Sequence, residues 1–309
     1  MKKLLSTIAI ACVSAFSFNT AATPPVQTPC EGRIDRHYIY SPQMKDTVTV
    51  DVWLPRLYLD NPAGDFPVIY MHDGQNLFDV STTWNRQSWE MDSVVSALAE
   101  KDLIRTPVIV GVHSVARTRV ADLMPERPFK GTEILETLDR EQLKNTPLRG
   151  DAYASFVATT LRDSIENQYH VLTGPENCHV MGSSMGGLMS LYIMCEYPDV
   201  FGKAACLSTH WVGSVEKYTD GYEAFPQAMY DYVKKYIPTD GKHAIYFDRG
   251  TATLDASYGK WDDKIINLVE SMGYTRPDRL DSMVAPGAAH EENAWKERVD
   301  HPLLFLLRK

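Results

Sequence analysis

The chain has 309 residues, an ordinary apolar share of 44% and a formal charge of −9, which leaves room for one large α/β domain or two small ones with a sizeable core. The excess of acid over base argues against nucleic acid and anionic membrane surfaces as partners. Its five cysteines show no CxxC spacing, so inert core thiols fit better than a disulfide framework or a metal site.

At the amino terminus Lys2 and Lys3 precede an apolar run from Leu4 to Phe18 and the small residues Thr20-Ala21-Ala22, the layout of a secretory signal peptide over residues 1–22. Its removal would leave 29 basic residues against 40 acidic ones, a charge of −11. Ala9-Ile10-Ala11-Cys12 is a poor lipobox, so membrane attachment is expected only if Cys12 is lipidated. The expectation is a secreted or periplasmic protein with a leader at 23–32 and a single domain at 33–309.

Within that domain, alternating residues from Arg33 to Tyr40 and from Thr47 to Trp53, joined at Ser41-Pro42-Gln43, predict an antiparallel strand pair at a sheet edge. Phe66–Met71 is a continuous apolar strand ending in the polar turn His72-Asp73-Gly74-Gln75-Asn76. A helix follows over about 86–101 with Trp89, Val94 and Leu98 inward, then the strand Pro107–Val112. Residues 114–150 form a long polar excursion with a helical pattern from Thr132 to Lys144, a candidate lid or substrate-binding insertion. Beyond it come a helix over 153–169, a strand from Cys178, a helix to about Cys195 and a strand at Lys203–Ser208. A second insertion spans 209–242, with a helix at 225–236. The strand His243–Phe247, a helix over 260–272, the strand Arg279–Ala285 and a helix from Glu291 complete the chain. Strands and helices alternating at these lengths imply a mostly parallel sheet covered on both faces.

The candidate chemistry centres on Gly182-Ser183-Ser184-Met185-Gly186. A serine on a tight strand-to-helix turn exposes its hydroxyl, and glycines two positions either side let neighbouring backbone approach. Serine is a weak nucleophile at neutral pH and needs a base oriented by a carboxylate. His290, in Pro286-Gly287-Ala288-Ala289-His290 after the last strand, is the candidate base. For the acid, Asp255 lies in the loop after the penultimate strand and is preferred to Asp248, which still sits at the strand end. Ser184, Asp255, His290 is the nucleophile–acid–base order of α/β hydrolases. The oxyanion should be held by the backbone N–H of Met185 and by one from the turn after Met71, either Gly74 or Gln75. His72 reads as a pocket-wall residue, and Trp84, His210 and Trp211 as substrate-binding candidates, with Trp89, Tyr258 and Trp295 as further aromatics for a pocket. No cofactor or metal is needed for this chemistry.

The blocks Tyr70 to Asp79, Gly182 to Leu188, Glu196 to Gly202, Ser208-Thr209-His210-Trp211 and Gly287-Ala288-Ala289-His290 with Trp295 together resemble the putative-esterase family of α/β hydrolases, from about Arg33 to the C-terminus. That family is similar to carbohydrate esterases of the feruloyl and acetyl-xylan type, to enterobactin esterases and to S-formylglutathione hydrolase. The resemblance implies an α/β-hydrolase fold and a serine esterase. Many relatives carry an acidic residue where this chain has Thr253. The expected function is hydrolysis, through an acyl-enzyme, of a carboxylic ester, small-molecule or carbohydrate-linked, with feruloyl or acetyl esters attached to carbohydrate ranked first. A siderophore trilactone esterase is the alternative, with Arg117, Arg119 or Arg127 as the cations such a substrate would need. A non-catalytic binding protein on the same fold is the reading from another class.

Overall fold

The computed structural model describes residues 32–309 except 84, 138–145 and 214–222. The signal and leader segments therefore lie outside the described residues, as do most of the helical pattern expected between Thr132 and Lys144 and the pocket candidate Trp84. The strands are β1 (Gly32–Ser41), β2 (Asp46–Pro55), β3 (Val68–His72), β4 (Val108–Val112), β5 (Cys178–Ser183), β6 (Lys203–Leu207), β7 (Ala244–Gly250) and β8 (Leu280–Ala285). They form one sheet in the order β1-β2-β4-β3-β5-β6-β7-β8. β1 and β2 pair antiparallel at the sheet edge as expected, β2 is antiparallel to β4, and every pairing from β4 to β8 is parallel.

The parallel strands read as unbroken apolar runs because both faces are covered. In β3, Val68 and Tyr70 enter one core while Ile69 and Met71 enter the other; in β5, Val180 and Met181 divide in the same way. The larger core is roofed by helices Gly150–Phe156, Arg162–Gln168, Met185–Glu196, Ala224–Tyr236 and Gly259–Ser271, the smaller by Met91–Glu100 and Asp300–Leu307. Helix Met185–Glu196 is buried on nearly every side, as a helix without a polar face must be.

Several expected boundaries move. The helix expected from 86 begins only at Met91, after Glu90 with φ 47°, so Trp89 precedes it and Met91, Val95 and Leu98 form the buried stripe. The helix expected over 153–169 is interrupted at Val157–Leu161 by a wider π turn, where Thr159 Oγ1 donates to the Ser155 carbonyl at 2.6 Å. The first part of the 114–150 excursion belongs to the body of the fold: Leu123, Met124 and Phe129 are buried, and Phe129 stacks on Phe225 at 4.6 Å between ring centres. Cys178, Cys195 and Cys206 are buried free thiols, as the composition suggested, and burial pushes Cys178 up to about 12. No helix among the described residues is long and apolar enough to cross a membrane.

Candidate active site

β5 ends at Ser183, and the chain turns at Ser184 with φ 58° and ψ −122° into helix Met185–Glu196. That backbone conformation is costly for any residue with a side chain, roughly 1–3 kcal/mol. The surroundings hold it there: Ser184 N–H donates to the Leu207 carbonyl at 2.9 Å, and its own carbonyl accepts from His210 N–H at 3.1 Å. The turn also needs its glycines. A Cβ on Gly182 would stand 2.8 Å from the Gly186 carbonyl carbon and 2.9 Å from His72 Cδ2.

The carboxyl ends of β7 and β8 supply the other two groups. After β7, Asp255 sits in a short 3-10 turn, Thr253–Ser257, and is fully buried. His290 Nδ1 lies 2.5 Å from Asp255 Oδ1, while Asp255 Oδ2 accepts from Ser208 Oγ at 2.5 Å and from Gly250 N–H at 2.6 Å. Burial alone would raise this carboxyl, but the bonds from His290 and Ser208 outweigh it and hold Asp255 below the usual carboxylate range. The histidine loop is laced onto the acid loop by backbone bonds from Thr251 and Ala252 to the Ala288 carbonyl, and His290 N–H donates to Thr253 Oγ1 at 2.8 Å. Thr253 thus anchors the histidine loop. Tyr258 and Trp295 flank the imidazole edge-on, with ring centres at 5.7 and 5.0 Å. Of the two aspartates weighed from the sequence, Asp255 is the one brought to His290; Asp248 is bound to Arg298 Nη2 at 3.0 Å.

Ser184 and His290 open into one cavity of about 740 Å³, whose wall also includes His72, Gln75, Trp89 and Trp295. Within the turn Gly74–Asn76, Gly74 is pressed on β4, where a Cβ would fall 2.4 Å from the Gly111 carbonyl carbon. Gln75 faces the cavity and accepts from Ser114 N–H at 2.9 Å through its side chain. His72 is a buried wall residue, as expected, lowered to about 4 by burial, with Nδ1 2.7 Å from the Tyr153 hydroxyl. The excursion after β4 contributes Ser114, Ala116, Arg119 and Val120 to the wall.

His210 and Trp211 do not reach the cavity, contrary to the sequence expectation. The chain leaves β6 through Ser208 with φ 42°, which folds both side chains beneath the acid loop. There His210 Nδ1 lies 2.8 Å from the Tyr258 hydroxyl, and Trp211 Nε1 donates to Asp262 at 3.1 Å. Sequence reasoning also missed a polar cluster across the mouth. Glu292 accepts from Asn76 Nδ2 at 3.0 Å and Asn85 Nδ2 at 2.5 Å, and Gln87 Nε2 donates to Glu291 at 3.1 Å. Only the position of Glu291 and Glu292 directly after His290 hinted at it. Of the candidate cations, Arg119 lines the cavity but is held by Asp73 in two bonds of 2.7 Å. Asp73 is lowered because that pairing outweighs burial. Arg127 is bound to Glu196 instead. Among the described residues, no group of three or more His, Cys, Asp or Glu side chains could hold a metal ion.

A mostly parallel sheet with a strained serine at a strand–helix elbow, and with an aspartate and a histidine following β7 and β8, defines the α/β-hydrolase class. Residues 41–301 match the family model described as "Putative esterase". The chain belongs to that esterase family. A CE1 ferulic acid esterase from Anaeromyces mucronatus, solved with ferulic acid, superposes with a TM-score of 0.62 at 16% identity, over 96% of this chain and 97% of that one. The enterobactin esterase of Shigella flexneri gives 0.64 at 14% identity over 90% of this chain and 61% of that one. At such identities the likeness is one of fold. The uncharacterized protein YbbA of Bacillus subtilis (strain 168) is 24% identical over 161 residues, 52% of this chain; the match spans 56% of that relative's length.

Proposed function

We propose that this chain is a serine esterase that hydrolyses carboxylic esters through an acyl-enzyme, with Ser184 as nucleophile, His290 as base and Asp255 as the acid that orients it. The observation that carries the reading is the convergence of Ser184 with the His290–Asp255 pair on one cavity, in the chain order of the hydrolase class. Ser184 Oγ adds to the acyl carbon as its proton passes to His290 Nε2, and Asp255 stabilises the imidazolium through Nδ1. The N–H of Met185, at the helix start, and that of Gln75, on the cavity wall, receive the oxyanion. The C–O bond to the alcohol then breaks and the alcohol leaves with the proton from His290. Water, deprotonated by the same imidazole, adds to the acyl carbon; the acid departs and Ser184 recovers its proton.

The substrate reading rests on cavity charge. Among the described residues its one arginine is engaged by Asp73, while Glu291 and Glu292 add two further carboxylates beside amide groups. Such a wall suits the hydroxyls of a neutral carbohydrate-linked ester, feruloyl or acetyl, and repels the catecholates of a siderophore trilactone. The signal-like residues 1–22 support export to the periplasm or medium. Methyl ferulate, acetylated xylan and enterobactin offered side by side test the proposal: hydrolysis of the first two, blocked by a serine-directed phosphonate labelling Ser184, is expected. Turnover of enterobactin alone would replace the substrate class, and absence of any turnover or label would leave a binding protein on a hydrolase fold.

A further inference from the structure

Behind His290, away from the cavity, the acid loop rests on a second carboxylate and a buried arginine. Asp248, at the end of β7, is fully buried, and its Oδ1 accepts from Arg298 Nη2 at 3.0 Å and from Ser208 N–H at 3.3 Å. The same guanidinium nitrogen donates to Ser208 Oγ at 2.9 Å and stands 4.0 Å from Asp255 Oδ2. Ser208 Oγ also accepts from Trp295 Nε1 at 2.9 Å and gives its own proton to Asp255 Oδ2. One permanently charged group therefore sits between two buried carboxylates, bonded to one and kept from the other by a hydroxyl. If Arg298 closed on Asp255 it would compete with the imidazolium for the same negative charge. If it were absent, two like charges would share a dry pocket, a situation in which one of them takes up a proton.

We propose that Asp248 and Arg298 are positioning residues: they neutralise each other and, with Ser208 as spacer, hold Asp255 in place while leaving its charge available to His290. The inference rests on the triad reading given above. Burial raises Asp248 and the Arg298 contact offsets only part of that rise, whereas the bonds from His290 and Ser208 lower Asp255 against its burial. The other ionisable groups around this cluster are Tyr246 beside Asp248, Asp262 with Arg249 at 3.5 Å, and Tyr258 against the imidazole. On the cavity side stand Asp73 with Arg119, Glu291 and Glu292. None of these is altered by the substitutions below.

The test is the pH profile of kcat/KM on nitrophenyl acetate for the wild-type chain, D248N, S208A and the double variant D248N/R298Q. In D248N the unopposed guanidinium turns to Asp255, so the acid limb moves to lower pH by about one unit and the plateau falls about tenfold. S208A removes the spacer and shifts the limb in the same direction. D248N/R298Q removes both charges and returns the limb to its wild-type position. An unmoved limb in D248N and S208A with only a lower Tm would overturn the proposal, as would an upward shift or no recovery in the double variant. If D248N does not fold, S208A decides. Were the wild-type chain inactive on every ester, the triad reading would fail by itself. The NMR titration of His290 would still separate the two ideas, because D248N should protonate at lower pH than wild type.

Discussion

On its inner side His290 meets Asp255, on the turn after β7; Asp255 is bonded in turn to Ser208 at the exit of β6, and Ser208 to Arg298 of the C-terminal segment. On its outer side the contacts are side chain to side chain, with carboxamides of residues 76, 85 and 87 meeting the carboxylates of 291 and 292. The inner set is dry and charged, and each bond there constrains another. In the outer set Asn76 and Glu292 are buried, while Asn85, Gln87 and Glu291 are half-buried. On the proposed triad, the fold thus separates the geometry of proton transfer from the wall that would meet the ester.

The sharpest way to break that division is D255N. An amide at this site holds the wrong imidazole tautomer, so kcat should fall by up to ~10⁴-fold with the fold intact, approaching the loss in S184A. Single-turnover kinetics with a Tm control measure both; if D248N proved the dead variant and D255N kept near-normal turnover, the two aspartates would exchange roles. On the outer side, E291Q/E292Q removes two negative charges without shortening either side chain. The kcat/KM of an anionic ester such as nitrophenyl succinate should rise about tenfold, whereas nitrophenyl acetate should change less than about twofold. Equal changes on both esters would mean that these residues shape the triad rather than the substrate field.

The smallest effect concerns a carboxyl that lies under the inner set without joining it. Burial raises Asp262 to about 7, against the bond it accepts from Trp211. A raised carboxyl favours the fold while protonated, so its contribution is present at low pH and is lost as pH rises through about 7. D262N has no such loss. Its Tm relative to wild type should therefore improve by a few degrees between pH 5 and pH 8, and a difference independent of pH would show that Asp262 does not titrate in this range.

Much of the architecture was legible because parallel strands buried on both faces leave apolar runs, and because Gly182 and Gly186 mark the elbow by the side chains they lack. That Asp255 and His290 would be brought together was legible from chain order. His210 and Trp211 were misplaced for a definite reason: a strand end normally points at the pocket, but the left-handed turn at Ser208, which nothing in its sequence neighbourhood announces, sends them beneath it. Arg298 was invisible because its partners, Asp248 and Ser208, are 50 and 90 residues away, and a lone arginine near a helix reads as surface. Asn76, Asn85 and Gln87 belong to a turn and a loop whose amides acquire meaning only against Glu291 and Glu292.

The elbow has one more implication, for how much stability the molecule forgoes. Ser184 occupies a backbone conformation that glycine adopts without penalty, and it is held there by Leu207, His210 and the helix that follows. The proposed nucleophile is thus a residue the fold would be more stable without. S184G should unfold at a higher denaturant concentration than the active chain, by roughly 1–3 kcal/mol less the added entropy of glycine in the unfolded state. Selection for thermal robustness alone would then tend to discard the hydroxyl, so on the proposed triad a serine at this turn reflects chemistry rather than folding.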